Sequence, residues 1–138
     1  MAVARANAED VQHVCDMSRV FNDEYMDTPL NPDKAFTALS QLVEDGIVFF
    51  TDKGFIAGSL YEDPFRDQLI LLEIGWYAEK KSTDGIRLLN AFISEAKRLD
   101  VDKVVMSTLS TSSDRTRTLL ERKGFKTTEY VHSLTLRT

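Results

Sequence analysis

Between Gln68 and Leu109 the spacing of apolar residues changes twice, and this limits the architectures open to the chain. Gln68 to Tyr77 is a strongly apolar run of strand length. From about Asp84 to Leu99 the apolar residues Ile86, Leu89, Phe92, Ile93 and Ala96 recur at helical spacing. Lys103 to Leu109, with Val104, Val105 and Met106 at its centre, reads as a strand again. A strand, a helix and a second strand in succession predict two parallel strands joined by a right-handed crossover.

The flanking segments add elements that such a unit can pair with. Ala2 to Ala6 reads as a strand. Asn7 stands where a helix cap belongs, with Glu9 and Asp10 in the first turn and Val11, Val14, Cys15 and Phe21 on one apolar side. Asn22 to Leu30 is polar, acidic and interrupted by Pro29, which predicts a loop. Asn31-Pro32-Asp33 starts a second helix with a cap, a proline at the first position and an acid in the first turn. Ala35, Phe36, Leu39, Leu42 and Val43 form its stripe, and Asp45-Gly46 ends it. Ile47 to Phe50, a turn at Asp52-Lys53-Gly54, and Phe55 to Tyr61 predict two strands joined tightly and therefore antiparallel. Glu62 to Asp67, with Pro64, is a loop. Ser112 to Lys123 reads as a helix closed by Gly124. Phe125 to Leu136 reads as a last strand with Tyr130, His132, Leu134 and Leu136 on one face. The predicted order is β-α-α-β-β-β-α-β-α-β, an α/β (α+β) fold with a mixed central sheet and helices on both faces.

At 138 residues, without repeats or a linker, the chain is expected to form one domain over residues 1–138. The single Cys15 allows no internal disulfide, and with two histidines it argues against a closed metal site, so no metal is expected. No apolar run is long enough to span a membrane, and MAVARANAED lacks the apolar core of a secretory signal; a reducing cytoplasmic setting is expected, without a membrane partner. The net charge of −5 argues against nucleic acid as a partner. That charge is unevenly divided. Residues 1–69 carry 13 acids and 5 bases, residues 70–138 carry 9 acids and 12 bases, and the halves stand at −8 and +3. Two partners of opposite charge are a consistent reading.

Two short segments carry the chemistry. Glu73 interrupts an apolar strand and, by alternation, shares a face with Leu69, Leu71, Gly75 and Tyr77. A carboxylate there is paired, has a raised pKa or faces a cavity; a structural ion pair and a general base are both open readings. Lys80-Lys81-Ser82-Thr83-Asp84-Gly85 precedes the helical run. Taken alone it reads as a solvated turn with a helix cap.

Leu71 to Lys97, LLEIGWYAEKKSTDGIRLLNAFISEAK, and Leu119 to Phe125, LLERKGF, resemble the GNAT superfamily of acyl-CoA-dependent N-acyltransferases, and the order of elements resembles it from Ala2 to Leu136. In that family a strand leads into a loop of the pattern Arg/Gln-x-x-Gly-x-Gly/Ala, and the amides opening the next helix hold the pyrophosphate of coenzyme A. The resemblance implies that Lys80, Lys81, Ser82, Thr83, Asp84, Gly85 and Ile86 bind the cofactor. Helix N-termini are suited to that task by their free N–H groups and dipole. Two registers fit: Lys80 at the Arg/Gln position with Thr83 and Gly85 at the glycines, or Lys81 at that position. Only one glycine of the pattern is present, and Asp84 is expected beside a phosphate.

The resemblance further implies that the backbone of Ile74, Gly75, Trp76 and Tyr77 bonds the pantetheine arm where the two parallel strands part, and that an amide there meets the oxyanion; the Trp76 ring itself reads as core packing. Glu73 becomes the base that deprotonates the acceptor amine. Leu120 stands where the family often has a tyrosine acid, which leaves Tyr130 and His132 as candidate acids, or water. Arg115 and Arg117 are placed near the coenzyme's adenosine or 3′-phosphate. The implied function is transfer of acetyl from acetyl-CoA to a primary amine of a small molecule or protein, by a homodimer. Asp23, Glu24, Asp27, Glu62 and Asp63 would rim the acceptor side and favour a cationic acceptor, such as a protein lysine. The alternative is a GNAT-like module that binds acyl-CoA or a protein partner without catalysis. His13 reads as an exposed helix residue and Cys15 as a small core residue.

Overall fold

A computed structural model describes residues 1–110 and 113–137. It divides into two compact units, Met1–Ser107 and Thr108–Thr138.

In the first unit, β1 (Ala4–Arg5) leads into a 3₁₀ turn at Ala8–Asp10 and then α1 (Val11–Tyr25). Asn7 caps this start: its side chain accepts from the Glu9 amide at 2.9 Å, while the Asp10 carboxylate accepts from the Asn7 amide at 2.9 Å. The helix runs on into the segment expected to be a loop. The cause is aromatic packing, since the rings of Phe21 and Tyr25 meet one turn apart at 5.3 Å, tilted at 42°, and Phe21 also meets Tyr77. A polar composition predicts solvation, not where a helix ends, once one face has partners.

α2 (Pro32–Asp45) opens as expected, with Asn31 accepting from the Lys34 amide and Pro32 in the first turn. β2 (Ile47–Phe50), β3 (Gly54–Glu62) and β4 (Leu69–Ala78) form an antiparallel meander, α3 (Asp84–Arg98) crosses over, and β5 (Lys103–Val105) pairs with β4 in parallel. The sheet order is β1-β2-β3-β4-β5. This is the mixed sheet with helices on both faces expected from the sequence.

One face of the sheet packs on α1 and α2 through Val11, Val14, Met17, Leu39, Val48, Phe50, Phe55 and Ala57. Alternate residues of β3 face α3, whose Leu88, Leu89 and Phe92 are fully buried. Gly58 is required there, because a Cβ would come within 2.5 Å of Phe92 Cζ and 2.8 Å of Leu71 Cδ1.

Two departures from the expected strands matter for the site. β3 and β4 shift register: Gly58 pairs with Glu73 and Ala57 with Gly75, which leaves Ile74 without a partner. A one-residue bulge reverses the alternation beyond it. Glu73 therefore does not share a face with Gly75 and Tyr77, contrary to the strict period of two. Tyr77 instead joins the α1–α2 face beside Phe55. The second departure is the brevity of β5. Its pairing with β4 stops at Leu72 and Val105, and Met106 to Leu109 do not continue the strand.

In the second unit, Ser112, where the sequence starts the last helix, lies outside the described residues. The helix α4 is Asp114–Arg122. It ends as expected at Gly124, whose φ of +96° is in the left-handed region. The Gly124 amide bonds the Glu121 carbonyl and the Phe125 amide bonds the Leu120 carbonyl, closing the last turn. The expected closing strand is not formed. Phe125 to Arg137 have no regular secondary structure, and Tyr130, Val131, Leu134 and Leu136 are 81–85% exposed. The alternating pattern is present in the sequence, but no ladder partner for it is found among the described residues, and a strand exists only as a member of a ladder.

Candidate active site

The fork between β4 and β5 is built around Glu73. β5 pairs with β4 only over Ile70 to Leu72, and the bulge at Ile74 lies two residues beyond the last pair. The Ser107 amide, which no longer has a strand neighbour to bond, donates to Glu73 Oε1 at 3.3 Å. Burial pushes the Glu73 carboxyl up to about 7, opposed only by that amide, which favours the charged form. The side chain thus titrates at neutrality and has no cationic partner among the ion pairs of the described residues. A structural ion pair does not describe it.

Beyond Glu73, β4 continues to Ala78 while its β5-side edge is unpaired. Ile74, the bulge residue, is 54% exposed. Gly75 lies against the Phe55 ring, where a Cβ would approach Phe55 Cε2 to 3.1 Å. Tyr77 is fixed between Phe21 and Phe55, and burial raises its phenol pKa. Trp76 does more than pack. Its indole N–H donates to the Gly85 carbonyl at 3.1 Å and ties the first turn of α3 to β4.

The loop from Glu79 to Thr83 is held at several points. The Glu79 amide bonds the Lys53 carbonyl at 2.9 Å, and the Ser82 amide bonds the Glu79 carbonyl at 3.2 Å. Lys81 takes a φ of +65°, the left-handed conformation that glycine adopts most freely. Ser82 Oγ accepts from the Asp84 amide at 3.0 Å, while the amides of Gly85 and Ile86 have no acceptor among the described residues. Those two N–H groups and the dipole of α3 form an anion-compatible end.

Asp84 is not left facing that end. It is 7% exposed, its Oδ2 accepts from the Thr51 hydroxyl at 2.7 Å, and its Oδ1 pairs with Arg87 at 2.7 Å. The Thr51 hydroxyl first, and then Arg87, hold its carboxyl below the usual carboxylate range. Both carboxylate oxygens are thus occupied within the fold. Thr51 is a hub that the sequence did not announce. Fully buried in the β2–β3 turn, it also accepts from the Lys53 amide, and its carbonyl lies 3.1 Å from His13 Nε2. His13 is accordingly half-buried, its ring edge-on to Phe50, not a freely exposed helix residue. Thr51 in a turn carries no sequence signal that separates it from other turn threonines, and Ser107 acts through its backbone alone.

Lys80 pairs with Glu24 near the end of α1 at 3.0 Å. Of the other rim acids, Asp63 accepts from the Phe65 amide and pairs with Arg66 at 3.4 Å; the Phe65 amide is the main cause of its lowered pKa. Asp23, Asp27 and Glu62 are exposed. Cys15 is buried as expected, which pushes its thiol pKa up.

Tyr130, His132, Arg115 and Arg117 belong to the second unit. Tyr130 and His132 are exposed in the segment after α4, and Arg117 pairs with Asp114 within the helix. Leu120 is buried.

No family model matches the chain, and no curated protein sequence matches it significantly. Solved structures do match. A nominal acetyltransferase from Arthrobacter sp. FB24 superposes with a TM-score of 0.79 at 20% identity, over 97% of this chain and 96% of that one. A nominal acetyltransferase from Agrobacterium tumefaciens str. C58 gives 0.74 at 12% identity, over 98% and 99%. AAC(6')-Iy, solved with the bisubstrate analogue CoA-S-monomethyl-acetylneamine, gives 0.71 at 14% identity, over 99% and 97%. The chain has the fold these proteins share, along nearly its whole length.

Proposed function

We propose that the chain is an acetyl-CoA-dependent N-acetyltransferase, one functional domain over residues 1–138, acting on a primary amine. The observation that carries the reading is Glu73, a carboxyl titrating near 7 just past the point where the β4–β5 pairing ends, beside an unpaired strand edge and a helix end with two free amides. A fold shared with AAC(6')-Iy, whose structure holds a CoA-linked analogue, supports it.

In this mechanism the free edge of Ile74 to Tyr77 bonds the pantetheine arm as a neighbouring strand would. The amides at the start of α3, with Lys80, Lys81 and the Ser82–Ile86 turn, hold the pyrophosphate. Arg115 and Arg117 are assigned to the adenosine end. Glu73, in its ionised form, takes a proton from the acceptor ammonium, directly or through one water. The freed nitrogen lone pair forms the C–N bond at the thioester carbonyl, and an amide of the β4 edge donates to the resulting oxyanion. On collapse the C–S bond breaks and its electron pair leaves with the sulfur, while the nitrogen, positively charged since the addition, loses its second proton to water, and the thiolate takes one up. A thiol with an ordinary pKa of about 8.5 needs no strong acid, so water suffices as proton donor; Tyr130 and His132 are the proposed side-chain sources where one acts.

The acidic Asp23, Glu24, Asp27, Glu62 and Asp63 favour a cationic acceptor, a polyamine, an aminoglycoside or a protein lysine. The exposed Tyr130, Val131, Leu134 and Leu136 support a homodimer, because burying that apolar segment against a second copy stabilises it. A cytoplasmic site of action accords with the lone, reduced Cys15. Among the described residues no helix is long and apolar enough to cross a membrane.

Calorimetric titration with acetyl-CoA tests the reading. Saturable binding at one site per chain is expected, and absence of binding refutes it. A second reading, acyl-CoA binding without transfer, is favoured by buried Leu120 in place of a tyrosine acid. Binding with no thiol release across broad amine and protein panels would establish that reading instead.

A further inference from the structure

Lys80 lies on the loop assigned to the cofactor's pyrophosphate, yet its ammonium is engaged elsewhere, with Glu24 of α1 at 3.0 Å. The two ends of this pair differ. Glu24 is carried on the last turn of α1, where the rings of Phe21 and Tyr25 pack on each other and Phe21 also meets Tyr77, so the backbone that bears it is anchored to β4. Its side chain is 33% exposed, whereas that of Lys80 is 81% exposed and free to swing. Of the carboxylates close to the loop in sequence, Asp84 is already occupied by Thr51 and Arg87, and Glu79 forms no ion pair with Lys80 among the described residues.

We propose that Glu24 is an internal counter-ion which competes with the cofactor's pyrophosphate for Lys80, so that the α1–loop ion pair is exchanged when coenzyme A binds. This rests on the acetyl-CoA reading given above. An ion pair this exposed is weak and salt-screened, so breaking it costs little. A pyrophosphate offers more negative charge than one carboxylate and sits where the α3 amides add to the attraction. The exchange leaves Glu24 unpaired at the end of α1, beside Tyr25, while the cofactor is bound. Cofactor affinity is thereby lowered by the strength of the pair, and the state of α1 is linked to occupancy of the loop.

A double-mutant cycle in calorimetry with coenzyme A tests this. Glu24→Gln should bind it about two- to fivefold more tightly than the wild type, the range set by exposed ion pairs. Lys80→Met should bind more weakly, and Glu24→Gln added to Lys80→Met should change nothing further. Pantetheine, which lacks the pyrophosphate, should bind all four proteins alike. Unchanged or weaker binding in Glu24→Gln, or the same gain with Lys80→Met in place, overturns the exchange. Failure of the wild type to bind coenzyme A overturns the cofactor reading itself and the exchange with it.

Discussion

Replacing Glu73 by Gln separates the environment of this carboxyl from any question of acceptor. Its pKa is raised from 4.5 to about 7, chiefly by burial. At 1.36 kcal/mol per unit this is about 3 kcal/mol by which folding disfavours the ionised form. The sign follows from proton binding. Between pH 4.5 and 7 the folded chain holds this proton while the unfolded chain has lost it, so stability is greatest below 4.5, falls as pH rises through that window, and is level above it. A glutamine of the same shape has no such dependence and still accepts from the Ser107 amide. Urea unfolding of both proteins at pH 4.5, 6 and 8 should show the stability of Glu73→Gln relative to the wild type rising by about 3 kcal/mol from the acid to the alkaline end, with an unchanged m-value. A difference that is constant with pH, or that grows towards acid, would refute burial as the cause of the raised pKa.

Other outcomes follow from the supports of the loop. Trp76→Phe removes the donor to the Gly85 carbonyl while keeping most of the packing, so coenzyme A affinity should fall by about 1 kcal/mol, roughly fivefold, in calorimetry. Thr51→Val leaves a buried Asp84 oxygen without its hydroxyl and should destabilise the fold by about 1–3 kcal/mol in urea unfolding, as well as weakening coenzyme A. Gly58→Ala drives a methyl into Phe92 and Leu71 and should cost about 1–3 kcal/mol, seen as a melting temperature lower by several degrees, with no direct effect on the fork.

What the sequence revealed were the features whose cause is local. Asn7, Asn31-Pro32 and Gly124 mark helix ends because capping and left-handed closure act within a few residues. The strand-helix-strand period around α3 shows because amphipathic spacing is imposed by burial on one face. The site depends on longer-range events. The bulge at Ile74 reverses alternation, so a period of two placed Glu73 with Gly75 and Tyr77 although the partner register separates them. The partners of Asp84 were not legible, because the hydroxyl it accepts from is 33 positions away in the chain. α1 outran its expected end because Tyr25 finds Phe21 and Phe21 finds Tyr77. Glu73 itself was legible, since a carboxylate in an apolar strand requires an explanation, but its partner is the backbone amide of Ser107, which no side-chain pattern encodes.

The central claim is that this fork moves an acetyl group with Glu73 as base, and thiol release from acetyl-CoA in the presence of a panel of cationic amines measures it directly. The wild type should release thiol only when an acceptor is present, with kcat/KM rising through pH 7 to a plateau. Glu73→Gln should lose most of that rate and its pH dependence while still binding acetyl-CoA. Equal, pH-matched release by the wild type and Glu73→Gln would contradict the account.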